Sequence, residues 1–260
     1  MSNAMHVAKT GLNAQNKRMQ VISNNLANVN TTGFKRDRAT FEDLLYQTVR
    51  RAGGQVTADA QAPTGLMLGT GTRILATQKI HAQGNLMQTQ NALDLAINGQ
   101  GFFQILQPDG QIAYTRDGAF NITANGDVVT HSGLLLQPAI TIPQNAASIT
   151  VGNDGTVSVA LFDGTEQQIG NLQVARFVNA PGLEPLGQNL YKQTGASGPP
   201  VLLQPGLNGA GSLMQGALEA SNVNVVEEMV NMIETQRAYE VNSKAISAVD
   251  GMLRFINNNL

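Results

Sequence analysis

Apolar residues recur at steps of three and four at both ends of the chain and at steps of two in its middle. Near the start, Met5, Ala8, Leu12, Gln15, Met19, Ile22, Leu26 and Val29 form a seam with heptad spacing and one polar member. That period predicts an amphipathic helix from about Met5 to Val29. Thr32-Gly33 follows, where a glycine is well placed to cap the helix C-terminus. The rest of the helix is rich in Asn and Gln, and Asn competes for backbone hydrogen bonds. Alone, such a helix is marginal.

The other end mirrors the first. Asn224, three residues before Glu227, resembles a capping box with Asn as cap. From there Val225, Met229, Met232, Gln236, Tyr239, Asn242, Ile246, Val249, Leu253 and Ile256 trace a stripe to the chain end. Val226, Val230, Ile233, Val241, Ala245, Ala248 and Met252 widen it. A stripe that broad predicts contact with more than one neighbour. Two seams at opposite ends predict terminal helices that pair as a coiled coil, within one molecule or between molecules.

Between them, short alternating runs such as Gln111–Tyr114, Asp127–Thr130, Ser148–Val151 and Thr156–Val159 read as strands. Asn98-Gly99, Asp109-Gly110, Asp117-Gly118, Asn125-Gly126, Asp154-Gly155 and Asp163-Gly164 have the composition of hairpin turns. Such close spacing favours an antiparallel β domain over βαβ units. The fold class expected is therefore α+β, with a central antiparallel β domain between long terminal helices. The segments expected are 1–34 (N-terminal helix), 35–70 (extended), 71–218 (β domain) and 219–260 (C-terminal helix). Residues 53–63 are poor in large apolar side chains and read as a linker, or as an arm that orders against a neighbour.

Composition narrows the function. Only 13% of the 260 residues are charged, while 25 Asn and 23 Gln supply a largely neutral polar surface. A net charge of −2 argues against nucleic-acid binding. With no cysteine, disulfides, thiol catalysis and Cys-based metal sites are excluded. No run of residues approaches a membrane span, so no stable membrane insertion is expected. The N-terminus lacks the apolar region of a secretory signal, so any export is expected to proceed without cleavage of one.

The candidate chemistry is thin. Gly69-Thr-Gly71 and Gly99-Gln-Gly101 complete no phosphate-binding fingerprint. His6, His81 and His131 are scattered, and no nucleophile elbow is present. Five of the ten Asp residues precede Gly; Asp94 is an exception, and a structural hydrogen bond at a strand entry is the expected role. The basic clusters Lys35–Arg38 and Arg50-Arg51 read as solvated charges near helix and strand ends. No catalytic residue, cofactor or metal is expected.

Four ordered blocks carry a resemblance. Ser23-Asn-Asn-Leu-Ala-Asn-Val-Asn-Thr-Thr-Gly-Phe-Lys35 resembles the N-terminal signature of the bacterial flagellar rod, hook and hook-associated axial proteins. Asp94-Leu-Ala-Ile-Asn-Gly-Gln-Gly-Phe-Phe103 and Tyr114-Thr-Arg-Asp-Gly-Ala-Phe120 are similar to that family's central segments. Ser221–Val230 together with Gln236-Arg-Ala-Tyr-Glu240 resembles its C-terminal helix block. The motif residues to watch are thus Asn24, Asn25, Asn28, Gly33, Phe34, Asn98, Gly99, Gly101, Phe102 and Arg237. Phe41–Tyr46, followed by Gln47-Thr48 and an extended stretch to Gly65, is similar to the segment that sets the distal-rod branch apart from the hook branch.

The resemblance implies a structural subunit of a helical tube, exported by the flagellar type III path. The partners it implies are further copies of the chain, proximal rod proteins, the hook protein, the P- and L-ring bushing proteins, the export apparatus and the rod cap. It implies a place in the basal body, in the distal rod between periplasm and outer membrane, where the tube transmits torque to the hook. Within this reading the residues expected to carry assembly are Leu12, Met19, Ile22, Leu26 and Val29, facing Val225, Met229, Met232, Tyr239, Ile246, Val249 and Leu253. The stretch Arg51–Gly65 is the candidate for stiffening the tube. Competing readings are another rod or hook subunit, or a trimeric glycan-binding adhesin. The adhesin is disfavoured by 5% aromatics and no Trp.

Overall fold

The computed structural model describes residues 2–51, 53, 55–57, 60–61 and 63–258. Two compact units form: Met1–Ala27, Asp37–Gln78 and Asn224–Leu260 make the first, and Asn28–Arg36 with Lys79–Val223 the second. These units cut the chain elsewhere than the expected segments, because the stretch after the first helix is shared between them.

In the first unit, helix α1 (Ser2–Ala27) and helix α2 (Val225–Asn258) lie against one another. They run antiparallel: Asn25 Nδ2 donates to Glu228 at 3.3 Å, Arg18 donates to Asn231 at 3.3 Å, and Gly11 sits beside Asn242. A Cβ at Gly11 would lie 3.2 Å from the Asn242 amide, so the missing side chain admits the close approach. The Asn224 side chain accepts from the backbone N–H of Val226 at 3.0 Å and of Glu227 at 3.4 Å, an N-cap as expected. Glu227 and Glu228 complement the dipole in the same turn.

The inward line of α2 departs from its apolar stripe. Glu228 and Thr235 are buried, and Met232, Ala238, Asn242, Ile246, Val249 and Leu253 are half-buried. Val225, Met229, Gln236 and Tyr239, expected on the seam, are exposed within the chain. Polar contacts with Asn25 and Arg18 select the facing line in the first half of α2, one residue away from the apolar one. On α1, Ala8, Ala14, Ile22 and Asn25 are buried, while Leu12, Met19 and Leu26 are half-buried. Helix α1 stops at Ala27, so Val29 lies in the following turn and Gly33 is not its cap.

The segment expected as extended, 35–70, is built with the residues just after it into strands. β1 (Asp37–Asp43), β2 (Tyr46–Arg50), β3 (Gln55–Thr57), β4 (Ala60–Gln61), β5 (Leu66–Gly69) and β6 (Thr72–Lys79) pair as β1 with β6, β2 with β5 and β3 with β4. The result is a nested two-stranded ribbon. Five residues of the Arg51–Gly65 stretch (52, 54, 58, 59 and 62) lie outside the described residues. So does the side chain of Ile256.

The second unit is the β domain. Its strands are β7 (Leu86–Gln88), β8 (Leu95–Asn98), β9 (Phe103–Leu106), β10 (Ile112–Thr115), β11 (Phe120–Ile122), β12 (Val128–Thr130), β13 (Leu135–Gln137) and β14 (Ala146–Val151). They continue with β15 (Thr156–Leu161), β16 (Glu166–Asn171), β17 (Val174–Arg176), β18 (Glu184–Gly187), β19 (Leu190–Lys192), β20 (Val201–Leu203), β21 (Ser212–Gln215) and β22 (Ala217–Glu219). A seven-stranded sheet in the order β11-β12-β13-β9-β10-β19-β18 is accompanied by the meander β14-β15-β16 and by the pairs β17-β20, β21-β8 and β22-β7. Apart from β1 with β6, each of the pairings described in the two units is antiparallel.

Alternation along these strands buries Leu95, Ile97, Phe103, Ile105, Phe120, Leu136, Val159 and Leu213 in one core, which Leu172 joins from the turn between β16 and β17. A second cluster gathers Phe102, Tyr114, Phe177, Leu183 and Tyr191. Four of the six Asx-Gly pairs (109, 125, 154 and 163) connect sequential strands of hairpins. Asn98-Gly99 and Asp117-Gly118 do not. At Gly118 a Cβ would lie 1.6 Å from the Leu95 carbonyl oxygen, so this glycine serves a close backbone approach and not a turn.

Candidate assembly site

The N-terminal motif divides its work between the two units. In the first, Asn25 is almost fully buried, and its side chain acts as a strand partner for a single residue. Its Nδ2 donates to the Asp37 carbonyl at 2.9 Å and its Oδ1 accepts from the Asp37 N–H at 2.8 Å. Both hydrogen-bonding groups of the backbone at the start of β1 are thereby satisfied. Asn24 is exposed on the same helix.

In the second unit, residues 28–36 dock into the β domain as an irregular segment. Asn28 accepts from the Thr31 hydroxyl at 3.2 Å, and the Thr32 hydroxyl donates to Asp117 at 3.0 Å. The Gly33 N–H donates to the Glu219 carbonyl at 2.8 Å. Gly33 has φ of 67°, and a Cβ there would sit 2.6 Å from the Asp117 nitrogen, so both conformation and space demand glycine. Phe34 is buried, with the Lys79 ammonium 4.9 Å from its ring centroid. The Arg36 N–H donates to Asn222 Oδ1 at 2.8 Å, and the Ile80 N–H to the Arg36 carbonyl at 2.9 Å.

At the centre of this docking sits a buried cluster of charge. Lys35, expected as a solvated charge, is instead fully buried, because it finds a carboxylate in the β domain: it donates to Glu219 Oε1 at 2.5 Å and to the Ala82 carbonyl at 2.8 Å. Arg116 donates to Glu219 Oε2 at 3.1 Å, to the Ile97 carbonyl at 3.2 Å and to the Gly99 carbonyl at 2.5 Å. The Gly84 N–H also donates to Glu219. One carboxylate therefore serves two cations, an arrangement tolerable in a low-dielectric interior only because nearly every donor is satisfied. Burial pulls the Lys35 and Arg116 pKa values down, while Glu219 opposes that pull. His81 stands beside them, edge-on to Phe102 and Tyr191 at 5.5 Å, and burial together with Lys35, Arg116 and Lys79 pushes its pKa down to about 4.

The central motif residues support this arrangement. Asn98 is exposed at the end of β8, and its Oδ1 accepts from Gln83 at 3.3 Å. The Gly99 carbonyl receives Arg116, and a Cβ at Gly101 would strike Val174. Phe102 lies under the Arg116 guanidinium, 5.5 Å from its ring centroid. Asp94 accepts from Thr89 at 2.6 Å and from Asn91 at 3.0 Å, the structural role expected of it. Arg237 is exposed on α2. Glu219 and Arg116 were not singled out from the sequence. The available signal was an acidic residue at an apolar strand position, Ala217-Leu-Glu219, far along the chain from any cation.

The outward surface of the first unit is apolar. On α2, Val226, Met229, Val230, Ile233, Val241, Met252 and Phe255 are each at least half exposed. On the ribbon, Leu45 (87% exposed), Tyr46, Val49, Leu66, Met67, Leu68 and Leu75 are open to solvent. Together these exceed the scattered apolar exposure of an ordinary surface. Among the described residues no group of His, Asp and Glu could hold a metal, and no helix is long and apolar enough to cross a membrane.

Comparison with known proteins agrees with this distribution. Residues 5–35 match the flagella basal body rod protein family, residues 96–159 the flagellar hook protein FlgE/F/G D1 domain, and residues 214–259 the flagellar basal body rod FlgEFG protein C-terminal family. The flagellar basal-body rod protein FlgG of Buchnera aphidicola subsp. Schizaphis graminum is 56% identical over 252 residues, covering 96% of this chain and 97% of its own. That of Borreliella burgdorferi is 48% identical, covering 99% of this chain and 98% of its own. The chain belongs to the FlgG family of flagellar basal-body rod proteins.

Other relatives extend the comparison. The flagellar hook-basal body complex protein FlhP of Bacillus subtilis is 32% identical over 275 residues, with 99% of each chain covered. As a member of the FlgG family this chain is a structural subunit of the flagellar basal body and not an enzyme. The three matched regions fall on α1 with the docked segment, on β8–β15, and on β21–β22 with α2. The docked segment and the strands that hold Arg116 and Glu219 thus lie within family-defining sequence, and most of the ribbon lies between the matches.

Proposed function

We propose that this chain polymerises into the distal rod of the flagellar basal body, with its terminal helices forming the inner layer of a helical tube by coiled-coil packing. The observation that carries this reading is the unpartnered apolar face of α2. Val226, Val230, Ile233 and Val241 follow one another at helical spacing on a surface that α1 leaves open. Each such side chain contributes roughly 1.5 to 3 kcal/mol when fully covered, so a few per subunit suffice to drive association. A heterologous contact repeated around an axis gives an open tube and not a closed ring. The seam residues Leu12, Met19, Ile22, Leu26 and Val29, with Val225, Met229, Met232, Tyr239, Ile246, Val249 and Leu253, are the assembly set in this reading.

The tube passes from the periplasm through the P and L rings and joins proximal rod proteins to the hook protein. Its subunits arrive through the export apparatus, beneath a rod cap, without cleavage of a signal. The apolar ribbon would bridge to an adjacent subunit and resist the sliding that lets a hook bend. Sedimentation and negative-stain microscopy at rising concentration test the assembly. The full chain should form straight tubes, while Ile233→Asp should remain soluble with the circular dichroism of a folded protein. Tubes from Ile233→Asp indistinguishable from those of the parent would remove the α2 face from the interface. Deleting Gly53–Pro63 and finding an equally straight, stiff polymer would sink the bridging role of the ribbon.

A further inference from the structure

We propose that residues 28–36 are an acid-released latch on the β domain, with His81 as its proton-sensing element. This lies beyond the assembly reading and does not depend on it. The latch is a short segment without regular secondary structure, held by bonds that converge on a small area: Gly33 N–H to Glu219, Lys35 to Glu219 and Ala82, and Arg36 to Asn222 and Ile80. A segment of that kind opens more readily than the strands beneath it.

The charge arrangement makes the opening sensitive to protons. His81 lies between Ile80, whose N–H is bonded to the latch, and Ala82, whose carbonyl receives Lys35. The groups that face it from the surrounding elements are Lys35 from the latch, Arg116 from the end of β10, Lys79 from β6 and the ring of Tyr191 from β19. The carboxylate of the cluster, Glu219, is already engaged by Lys35, Arg116 and the Gly84 N–H. His81 Nδ1 is buried and has no hydrogen-bond partner. A proton placed there would add a fourth cation beside Lys35, Arg116 and Lys79, and the Ala180 backbone, which favours the charged ring, is outweighed by burial and these charges. Opening relieves this by withdrawing the Lys35 ammonium and freeing Ile80 and Ala82 on either side of the imidazole.

The sign follows from linkage. His81 is held neutral in the closed state, with a pKa pushed down to about 4, against the ordinary 6.5 of an open one. The open state therefore takes up protons first as pH falls below 6.5, and the closed state loses ground until pH reaches about 4. Between pH 7 and pH 5 the opening equilibrium should rise about 20-fold on this account.

Amide hydrogen exchange on the full chain, at concentrations where it is monomeric and with intrinsic rates corrected for pH, reads this directly. Protection at Gly33, Arg36 and Ile80 should fall about 20-fold from pH 7 to pH 5, while Ile105 and Ala113 in the β9–β10 ladder hold their protection. In His81→Gln the latch amides should lose this pH dependence. Equal loss at latch and ladder, or a flat profile at the latch, overturns the proposal. An unchanged pH profile in the variant does so too. Should His81→Gln not fold, the comparison of latch with ladder in the unaltered chain still decides.

Discussion

Removing Lys35 tests whether one buried carboxylate governs the docking of the N-terminal motif. In Lys35→Met the side chain keeps its length but loses its bonds to Ala82 and Glu219, while Glu219 retains Arg116 at 3.1 Å and the Gly84 N–H at 2.8 Å. Breaking a buried ion pair outright costs about 3–5 kcal/mol. Because two of the three partners of the Glu219 carboxylate survive here, the expected loss is about 2–3 kcal/mol. Glu219→Gln is the harsher change, since it strands both Lys35 and Arg116, which are respectively 0% and 4% exposed, without a counter-charge. Its expected cost lies at the top of that range, about 4–5 kcal/mol.

The ordering is more informative than either value. Urea unfolding, followed by tyrosine fluorescence, reports on the β domain through Tyr114 and Tyr191, the two buried tyrosines of the four, because the chain has no Trp and Tyr46 and Tyr239 are already exposed. Both variants should shift the midpoint, Glu219→Gln by more, and 0.5 M salt should change neither shift appreciably because the pairs are buried. A Lys35→Met variant that costs as much as Glu219→Gln would refute the sharing of one carboxylate by two cations. So would one that costs less than about 1 kcal/mol, the scale of an exposed pair.

Two further expectations concern the same motif. Asn25→Ala leaves the N–H and C=O of Asp37 without their partners in a part-buried site, so about 2–3 kcal/mol should be lost, and limited proteolysis should cut sooner near residue 37; cleavage no faster than in the parent would count against the clamp. Gly33→Ala meets the Asp117 backbone at 2.6 Å in a left-handed conformation. A loss of about 2 kcal/mol or more is expected, read as a lower thermal midpoint, and an unchanged midpoint would show that the segment can dock differently.

The periodicities of this chain carried much of the architecture. Steps of three and four placed both terminal helices, and alternation with Asx-Gly pairs placed hairpins at 109, 125, 154 and 163. These signals are local: a helix repeats within one turn and a hairpin within a few residues, so neighbouring positions suffice to encode them. The family blocks were legible as strings, but not what each residue in them does.

Tertiary structure decided what local pattern could not. Lys35, Arg116 and Glu219 are separated by up to 184 positions, and no periodicity relates them. Only the docking of residues 28–36 against β22 brings one carboxylate to both cations. The inward face of α2 was likewise open, because its apolar stripe is broad enough to serve two neighbours. Asn25 meeting Glu228 and Gly11 admitting Asn242 select a partly polar line for α1 and leave Val226, Met229, Val230 and Ile233 outside. The pairing within the ribbon of residues 37–79 was not legible, because its strands β2 and β5 are exposed on both faces and have no buried side to impose alternation. Burial is what writes a period into a sequence, and where an element buries nothing within its own chain, only the fold reveals it.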